Sequence, residues 1–227
     1  MRGLGTICLL ALLQLHAVAA PWHAGDGSLY AYTSISQGEV ENLKNIRSDI
    51  YFEYGLNPKW TVTTKVEQVR YKDASDFDSN AWRTTVRRSF QLGDGLVLSA
   101  EAGLLQGEAI GGFGNCSRIG AEIRAGAAWS GKFQKVDTFS YVEVAQRQHD
   151  GCTRALTELG IGRKATKNIW LITQAFLEEG GGLARSYKSQ SSVLWAGRSF
   201  DLALGYRSEQ GGVFEEDAVF ISLARRF

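Results

Sequence analysis

The chain has 227 residues with 25 Lys and Arg against 24 Asp and Glu, so its formal net charge is +1 and no basic patch typical of nucleic-acid binding stands out. The 2 Pro residues exclude a Pro-rich linker protein. Mean hydropathy is −0.17, as in many soluble chains, but a transmembrane β-barrel gives similar values because its apolar residues alternate with polar ones. The length favours one domain.

The first residues have the pattern of an export signal. Arg2 supplies a positive charge, an apolar run covers 7–13, and small residues ending at Ala19 form a cleavage site. The apolar run is shorter than the about 20 residues that a membrane-spanning helix needs. We predict that residues 1–19 are removed, because a cut one residue later would leave Pro21 at the first mature position.

The mature chain, 20–227, has a dominant period of two rather than 3.6, which is typical of strands. It contains no later apolar run of helix-spanning length, so a membrane protein of this sequence must be a closed barrel. Divided among twelve strands, it provides about 17 residues per strand and connection, enough for a tilted membrane strand of about 10 residues. In chain order the strands are predicted near 28–36, 46–56, 60–66, 82–92, 96–104, 119–129, 137–147, 155–161, 169–178, 189–197, 200–207 and 217–227.

The predicted connections alternate in length, as expected for short periplasmic turns and longer outer loops. Short turns are predicted at 57–59, 93–95, 130–132 and 166–168, and longer loops at 72–80, 106–117, 148–153 and 208–216. The loop at 180–185 fits this alternation less well.

The end of the chain carries a family resemblance. In the strand 217–227, Val219, Ile221, Leu223 and Phe227 share one parity. A terminal aromatic strand on an exported chain resembles the closing strand of a bacterial outer-membrane β-barrel, although Arg225 stands where that family usually has an apolar or aromatic residue.

The resemblance extends over the whole mature chain and rests on pattern rather than on a family-specific motif. It implies an all-β fold: a closed antiparallel up-and-down transmembrane β-barrel of about 12 strands, with 10 or 14 as alternatives. It also implies location in the Gram-negative outer membrane, contact with outer-membrane lipid, and Phe227 as the signal read by the barrel assembly machinery.

The polar parity of the strands is strongly charged. On the lipid face such charges would cost about 2–4 kcal/mol each near the midplane, so we predict that they point inward. They are candidates for lining the lumen and setting its selectivity: Arg47, Asp49, Glu53, Lys65, Glu67, Arg83, Arg87, Glu101, Glu122, Arg124, Glu143 and Glu158.

Two interpretations of these charges remain open, a wetted pore and a salt-bridged filling. A barrel of about 12 strands lies between the filled eight-strand and open 16-strand classes, so size does not decide. Glycines of the same parity take little volume and favour a narrow channel, without a preference for anions or cations: Gly55, Gly103, Gly120, Gly126, Gly160 and Gly162.

Two cysteines remain after removal of the signal, Cys116 and Cys152. An even count in an exported chain favours a disulfide, and both positions fall in neighbouring predicted outer loops. We predict a Cys116–Cys152 bridge; two free thiols are the alternative.

No residue pattern indicates catalysis, a cofactor or a metal site. The best catalytic candidate is His149-Asp150, which we expect to be a solvated loop pair, and Glu178-Glu179 is expected to be a solvated rim.

Aromatic residues recur near predicted strand ends, as in the interfacial girdles of membrane barrels. They are Tyr30, Tyr32, Trp60, Trp82, Trp129, Trp170, Phe200 and Phe227. The competing interpretation is a soluble sandwich or lipocalin-like barrel with a core of aromatic residues.

The sequence therefore predicts an outer-membrane barrel that is a narrow channel, or porin, for small polar solutes, without a nucleic-acid partner. The alternative is a non-transporting barrel with a structural or surface-binding role.

Overall fold

The computed structural model describes residues 22, 24–40, 42–107, 119–149, 152–180, 185–211 and 215–227. They form twelve strands and one short 3-10 helix, Ser75–Phe77, between the third and fourth strands. The strands are β1 Leu29–Val40, β2 Leu43–Asn57, β3 Trp60–Tyr71, β4 Ser79–Gly93, β5 Leu96–Gln106, β6 Gly120–Phe133, β7 Val136–His149, β8 Cys152–Lys164, β9 Ile169–Gly180, β10 Ser186–Ala196, β11 Asp201–Gly211 and β12 Glu215–Arg226. The predicted all-β fold and strand number are confirmed.

The sheet closes on itself. Each strand pairs antiparallel with its neighbours in sequence, and β1 pairs with β12 from Tyr30 opposite Arg226 to Val40 opposite Glu216. The protein is therefore a closed up-and-down barrel without an unpaired edge. None of the described helical residues forms a segment long and apolar enough to cross a membrane.

Side chains alternate between the two faces of the wall because successive strand residues point in opposite directions. In β12, Val219, Ile221 and Leu223 are 57%, 46% and 44% exposed, whereas Ala218 and Phe220 between them are buried. The same alternation in the other strands gives an apolar outer face and a polar, largely buried interior.

The two ends of the barrel differ. The turn end contains the connections 58–59, 94–95, 134–135, 165–168 and 197–200, together with the first residue of β1 and the last of β12. At the loop end, β1, β3, β5, β7, β9 and β11 end and the strands that follow them begin.

Three predicted connections were placed or sized wrongly. Ser130–Lys132 lies within β6, and the turn is at Gln134 and Lys135, whose φ angles are 50° and 67°. The predicted loops 148–153 and 208–216 are mostly strand, since β7 ends at His149, β8 begins at Cys152, β11 ends at Gly211 and β12 begins at Glu215. Ladder hydrogen bonding extends these strands through residues whose composition resembles loops, so among the described strands the widest separations along the chain are those between β3 and β4 and between β5 and β6.

Candidate functional site: the barrel interior

The predicted lumen residues all lie on the inward parity of their strands, where most are buried. They are Arg47, Asp49, Glu53, Lys65, Glu67, Arg83, Arg87, Glu101, Glu122, Arg124, Glu143 and Glu158. Charges this far from water require partners of opposite sign. The structure provides these partners in three groups of ion pairs.

The first group surrounds Arg87, which is 1% exposed. Its Nε donates to Glu101 Oε2 at 2.8 Å and its Nη1 to Glu53 Oε1 at 2.8 Å. Thr85 and Thr63 also donate to Glu101 Oε1, the second at 3.3 Å. These contacts join four consecutive strands, β2–β5, beside the turn end of the lumen.

The second group is centred on Glu122. Its carboxylate accepts from Arg83 Nη1 at 3.0 Å, Arg124 Nε at 3.2 Å and Arg147 Nε at 2.6 Å. Arg124 continues the group by donating from Nη1 to Glu143 at 2.8 Å. One acid therefore holds cations from β4, β6 and β7.

The third group joins β2 and β3 to the last strand. Arg47 on β2 donates from Nη2 to Glu67 at 2.7 Å and lies 3.5 Å from Glu216 on β12. Lys65 lies 2.9 Å from Glu67 and 3.2 Å from Asp49. This group extends the charge network across the β1–β12 closure.

Sequence reasoning missed several lumen charges from the second half of the chain. The structure adds Arg147, Arg154, Glu178, Lys188, Arg207, Glu209 and Glu216 to the interior. A parity signal was available for some of them: Arg207 and Glu209 alternate with Tyr206 and Ser208.

A cluster of aromatic residues fills part of the lumen nearer the turn end. Phe139 and Trp170 lie 5.9 Å apart and pack with the buried Tyr141. A Cβ at Gly160 would lie 2.1 Å from the Tyr141 ring, and one at Gly162 equally close to Phe139. The expectation that lumen glycines leave open space is therefore wrong at these two positions, because aromatic rings occupy it.

The predicted aromatic girdle is correspondingly wrong for three residues. Trp170 is in the lumen cluster, and Tyr30 and Tyr32 are on the inward parity of β1. By contrast, Phe200 and Phe227 are 42% and 64% exposed.

The segment before β1 also occupies the lumen. The Trp22 ring is 5.8 Å from Phe139, and its carbonyl accepts from Arg87 Nη1 at 3.1 Å. Ala24 N donates to Thr61 Oγ1 at 3.2 Å. Gly55 is required where this segment meets β2, because a Cβ there would lie 2.0 Å from the Gly25 carbonyl oxygen. We call residues 22 and 24–27 the entry segment.

Toward the loop end the lumen widens into a cavity of about 200 Å³. Its wall includes Arg47, Lys65, Glu67, Arg154 and Lys188. A water molecule takes up about 30 Å³ in the liquid, so this space has room for about six of them among charges of both signs. We call it the main cavity.

Two expectations about solvated residues are wrong. His149 is 2% exposed and points inward at the end of β7; its predicted neighbour Asp150 lies outside the described residues. Glu178 faces the lumen, where Arg154 lies 2.7 Å away, whereas Glu179 is on the outer face with a side chain that is 71% exposed. Strand alternation separates these adjacent acids.

The predicted disulfide stays a prediction. Cys152 begins β8, but Cys116 lies outside the described residues. Mass analysis after alkylation, with and without reduction, tests it; labelling of both thiols without reductant would contradict the bridge. Among the described residues, no group of three or more His, Cys, Asp or Glu side chains is placed to hold a metal ion.

With this geometry, the chain is similar to solved outer-membrane barrels. It matches the NanC porin with a TM-score of 0.62 and 10% identity over 85% of this chain and 98% of that one. It matches the COG4313 outer membrane channel from Pseudomonas putida F1 with a TM-score of 0.61 and 10% identity over 93% and 100% of the two chains. For the KdgM porin the values are 0.58 and 6%, over 86% and 99%.

These comparisons show that the chain has a porin-like barrel fold. No protein-family model and no curated protein matches it. At such low identities the likeness concerns the fold alone, so function has to be argued from the interior of this barrel.

Proposed function

We propose that the protein is a narrow outer-membrane channel for small polar solutes. The observation that supports this most strongly is the main cavity of about 200 Å³, a charge-lined space inside a closed barrel. A barrel with a purely structural role gains nothing from such a space, since filling it with side chains would stabilise the wall by packing.

The outer face supports a bilayer location. Its exposed aliphatic side chains would aggregate in water, but they match the hydrocarbon region of a membrane. The strands have 11–15 residues, which satisfies the about 9–11 that a tilted membrane strand needs.

A channel of this kind also needs a defined orientation in the membrane, an export signal and a signal for assembly. Because short turns lie on the periplasmic side of bacterial barrels, we propose that the turn end and the entry segment face the periplasm and that the main cavity faces the outside. We propose that residues 1–19 are removed on export, that the barrel assembly machinery recognises Phe227, and that the barrel has no catalytic role.

Planar-bilayer recording tests the channel function. Folded protein should give discrete, small conductance steps, and heat-unfolded protein should give none. Absence of steps from protein whose folding is verified by its heat-dependent gel mobility would exclude a channel and favour the non-transporting alternative.

A charge reversal in the cavity locates the conducting space. Lys65→Glu changes a side chain that is 38% exposed within the main cavity, so it should shift the ion preference toward cations. Lys59→Glu makes the same change in the exposed β2–β3 turn and should have a smaller effect. Equal effects would show that conduction does not depend on the main cavity.

A further inference from the structure

A second, smaller cavity of about 20 Å³ adjoins the main cavity. The two share Tyr32, Gln174 and Gln190 in their walls, and the smaller one continues to Asp201 and Ala224. Asp201 and Ala224 pair with each other near the turn end of β11 and β12. The main cavity is bordered by residues of β1–β11, whereas the wall of the smaller one comes from β1 and β9–β12. The pair therefore leads from the loop end toward the turn end along the side formed by β9–β12 and β1. We call the two cavities together the polar lane.

The opposite side of the lumen is closed at the same level. Arg87 contacts Glu53, Glu101 and the Trp22 carbonyl there, all within 3.1 Å. The Trp22 ring lies against Phe139 beside this contact. A solute would have to break several charge-assisted hydrogen bonds to cross on this side, so the open route does not run there.

The junction between the cavities is an uncharged row of side chains. Gln190 Nε2 donates to Gln174 Oε1 at 2.6 Å, and Gln174 Nε2 donates to the Tyr141 hydroxyl. Tyr141 in turn donates to Glu158 at 2.6 Å, which anchors the row to a charged residue of the lumen wall. Gln190, at the free end of the row, borders both cavities.

Beyond this row, the side chains in the wall of the polar lane carry almost no charge. Its walls carry the hydroxyls of Tyr30, Ser192 and Ser222 between apolar side chains, and its single acid is Asp201, which accepts from Gly197 N at 3.2 Å. An anion entering so narrow a space would lose water without gaining a counter-ion, and a cation would meet only Asp201, whose carboxylate already accepts from Gly197 N. A neutral hydroxyl or amide would exchange its water for hydrogen bonds of the same kind.

We infer that solutes cross along the polar lane, that Gln174 and Gln190 form its constriction, and that this constriction favours uncharged, hydroxyl- or amide-bearing solutes. The inference rests on the proposed channel function and names the solute class for it. Gln174 and Gln190 are the specificity-determining residues.

Reversal potentials in a KCl gradient test the position of the constriction. Wild-type protein should discriminate weakly between K⁺ and Cl⁻. Gln190→Glu adds one negative charge at nearly constant shape and should raise the K⁺ to Cl⁻ permeability ratio by at least about twofold. The control is Asn45→Asp, the same amide-to-acid change at a buried inward position of β2 outside the lane.

The outcomes distinguish a failure of the channel function from a failure of the proposed route. If wild-type protein gives no conductance, the channel function itself fails. If it conducts but Gln190→Glu has no larger effect than Asn45→Asp, the channel stands and the polar lane is the wrong route.

Solute uptake tests the selectivity. In a proteoliposome swelling assay, erythritol should enter faster than erythronate, an anion of the same carbon number. Gln190→Ala widens the constriction and should raise the rate for erythritol. Equal rates for the two solutes in wild-type protein, or no gain with Gln190→Ala, would overturn the inference.

Discussion

Removing Arg87 should be among the most destabilising single changes in the barrel wall. Arg87→Met keeps an unbranched chain but leaves Glu101, which is 4% exposed, without its nearest cation. Loss of one partner from a buried ion pair costs about 3–5 kcal/mol, because the remaining charge is uncompensated. The hydroxyl donors of Thr85 and Thr63 remain and place the expected loss toward the lower half of that range.

A double-mutant cycle isolates the pair. Glu101→Gln removes the acid and should cost about 1.5–3 kcal/mol, the contribution of a hydrogen bond to a charged group. Arg87→Met combined with Glu101→Gln removes both charges, so its cost should be smaller than the sum of the two single changes by about 2 kcal/mol or more. Urea unfolding of the barrel in phospholipid vesicles, followed by tryptophan fluorescence, measures all three.

Arg88→Met is the matched control. Arg88 is the next residue of β4, faces outward, and lies 5.3 Å and 5.1 Å from the centres of the Trp60 and Phe90 rings. Such exposed cation–π contacts contribute about 0.5–1 kcal/mol. If Arg87→Met cost no more than Arg88→Met, or if the cycle were additive, the interior network would not stabilise the barrel as argued.

The remaining predictions concern the entry segment, the aromatic cluster and the last residue. Trp22→Ala should increase single-channel conductance because its ring fills part of the turn end; unchanged conductance would show that the entry segment does not obstruct the path. Gly160→Val should destabilise the barrel by about 1–3 kcal/mol in urea unfolding, because its side chain would overlap the Tyr141 ring, and a neutral result would contradict that packing. Deleting Phe227 should lower outer-membrane abundance, measured on fractionated cells, while export continues; unchanged abundance would show that the strand pattern suffices for assembly.

Local alternation explains why the wall was predictable. In β2, inward Arg47 and Asp49 alternate with outward Ile46 and Ile50, and this period depends only on strand geometry. Strand ends were less predictable: nothing local in Ser130–Lys132 reveals that β7 continues to pair with these residues.

The interior arrangement depends on residues far apart in the chain, and sequence patterns carry little of it. Parity places Tyr141 in the lumen, but not over Gly160 on the next strand. Nor could it show that Trp22, in a segment without strand periodicity, reaches the same cluster. These contacts depend on the register between strands and on closure of the barrel, and neither can be read from a single sequence.

The pair between Arg47 and Glu216 has a consequence for how the barrel is completed. The two residues are 169 positions apart, so their contact forms only when the last strand meets the first. If β12 docked one residue out of step, Glu216 would turn toward the lipid and Arg47 would lose a partner. The closure between β1 and β12 is therefore selected for its register: a slipped pairing would expose a carboxylate to lipid, and only the correct alignment places it beside its cation.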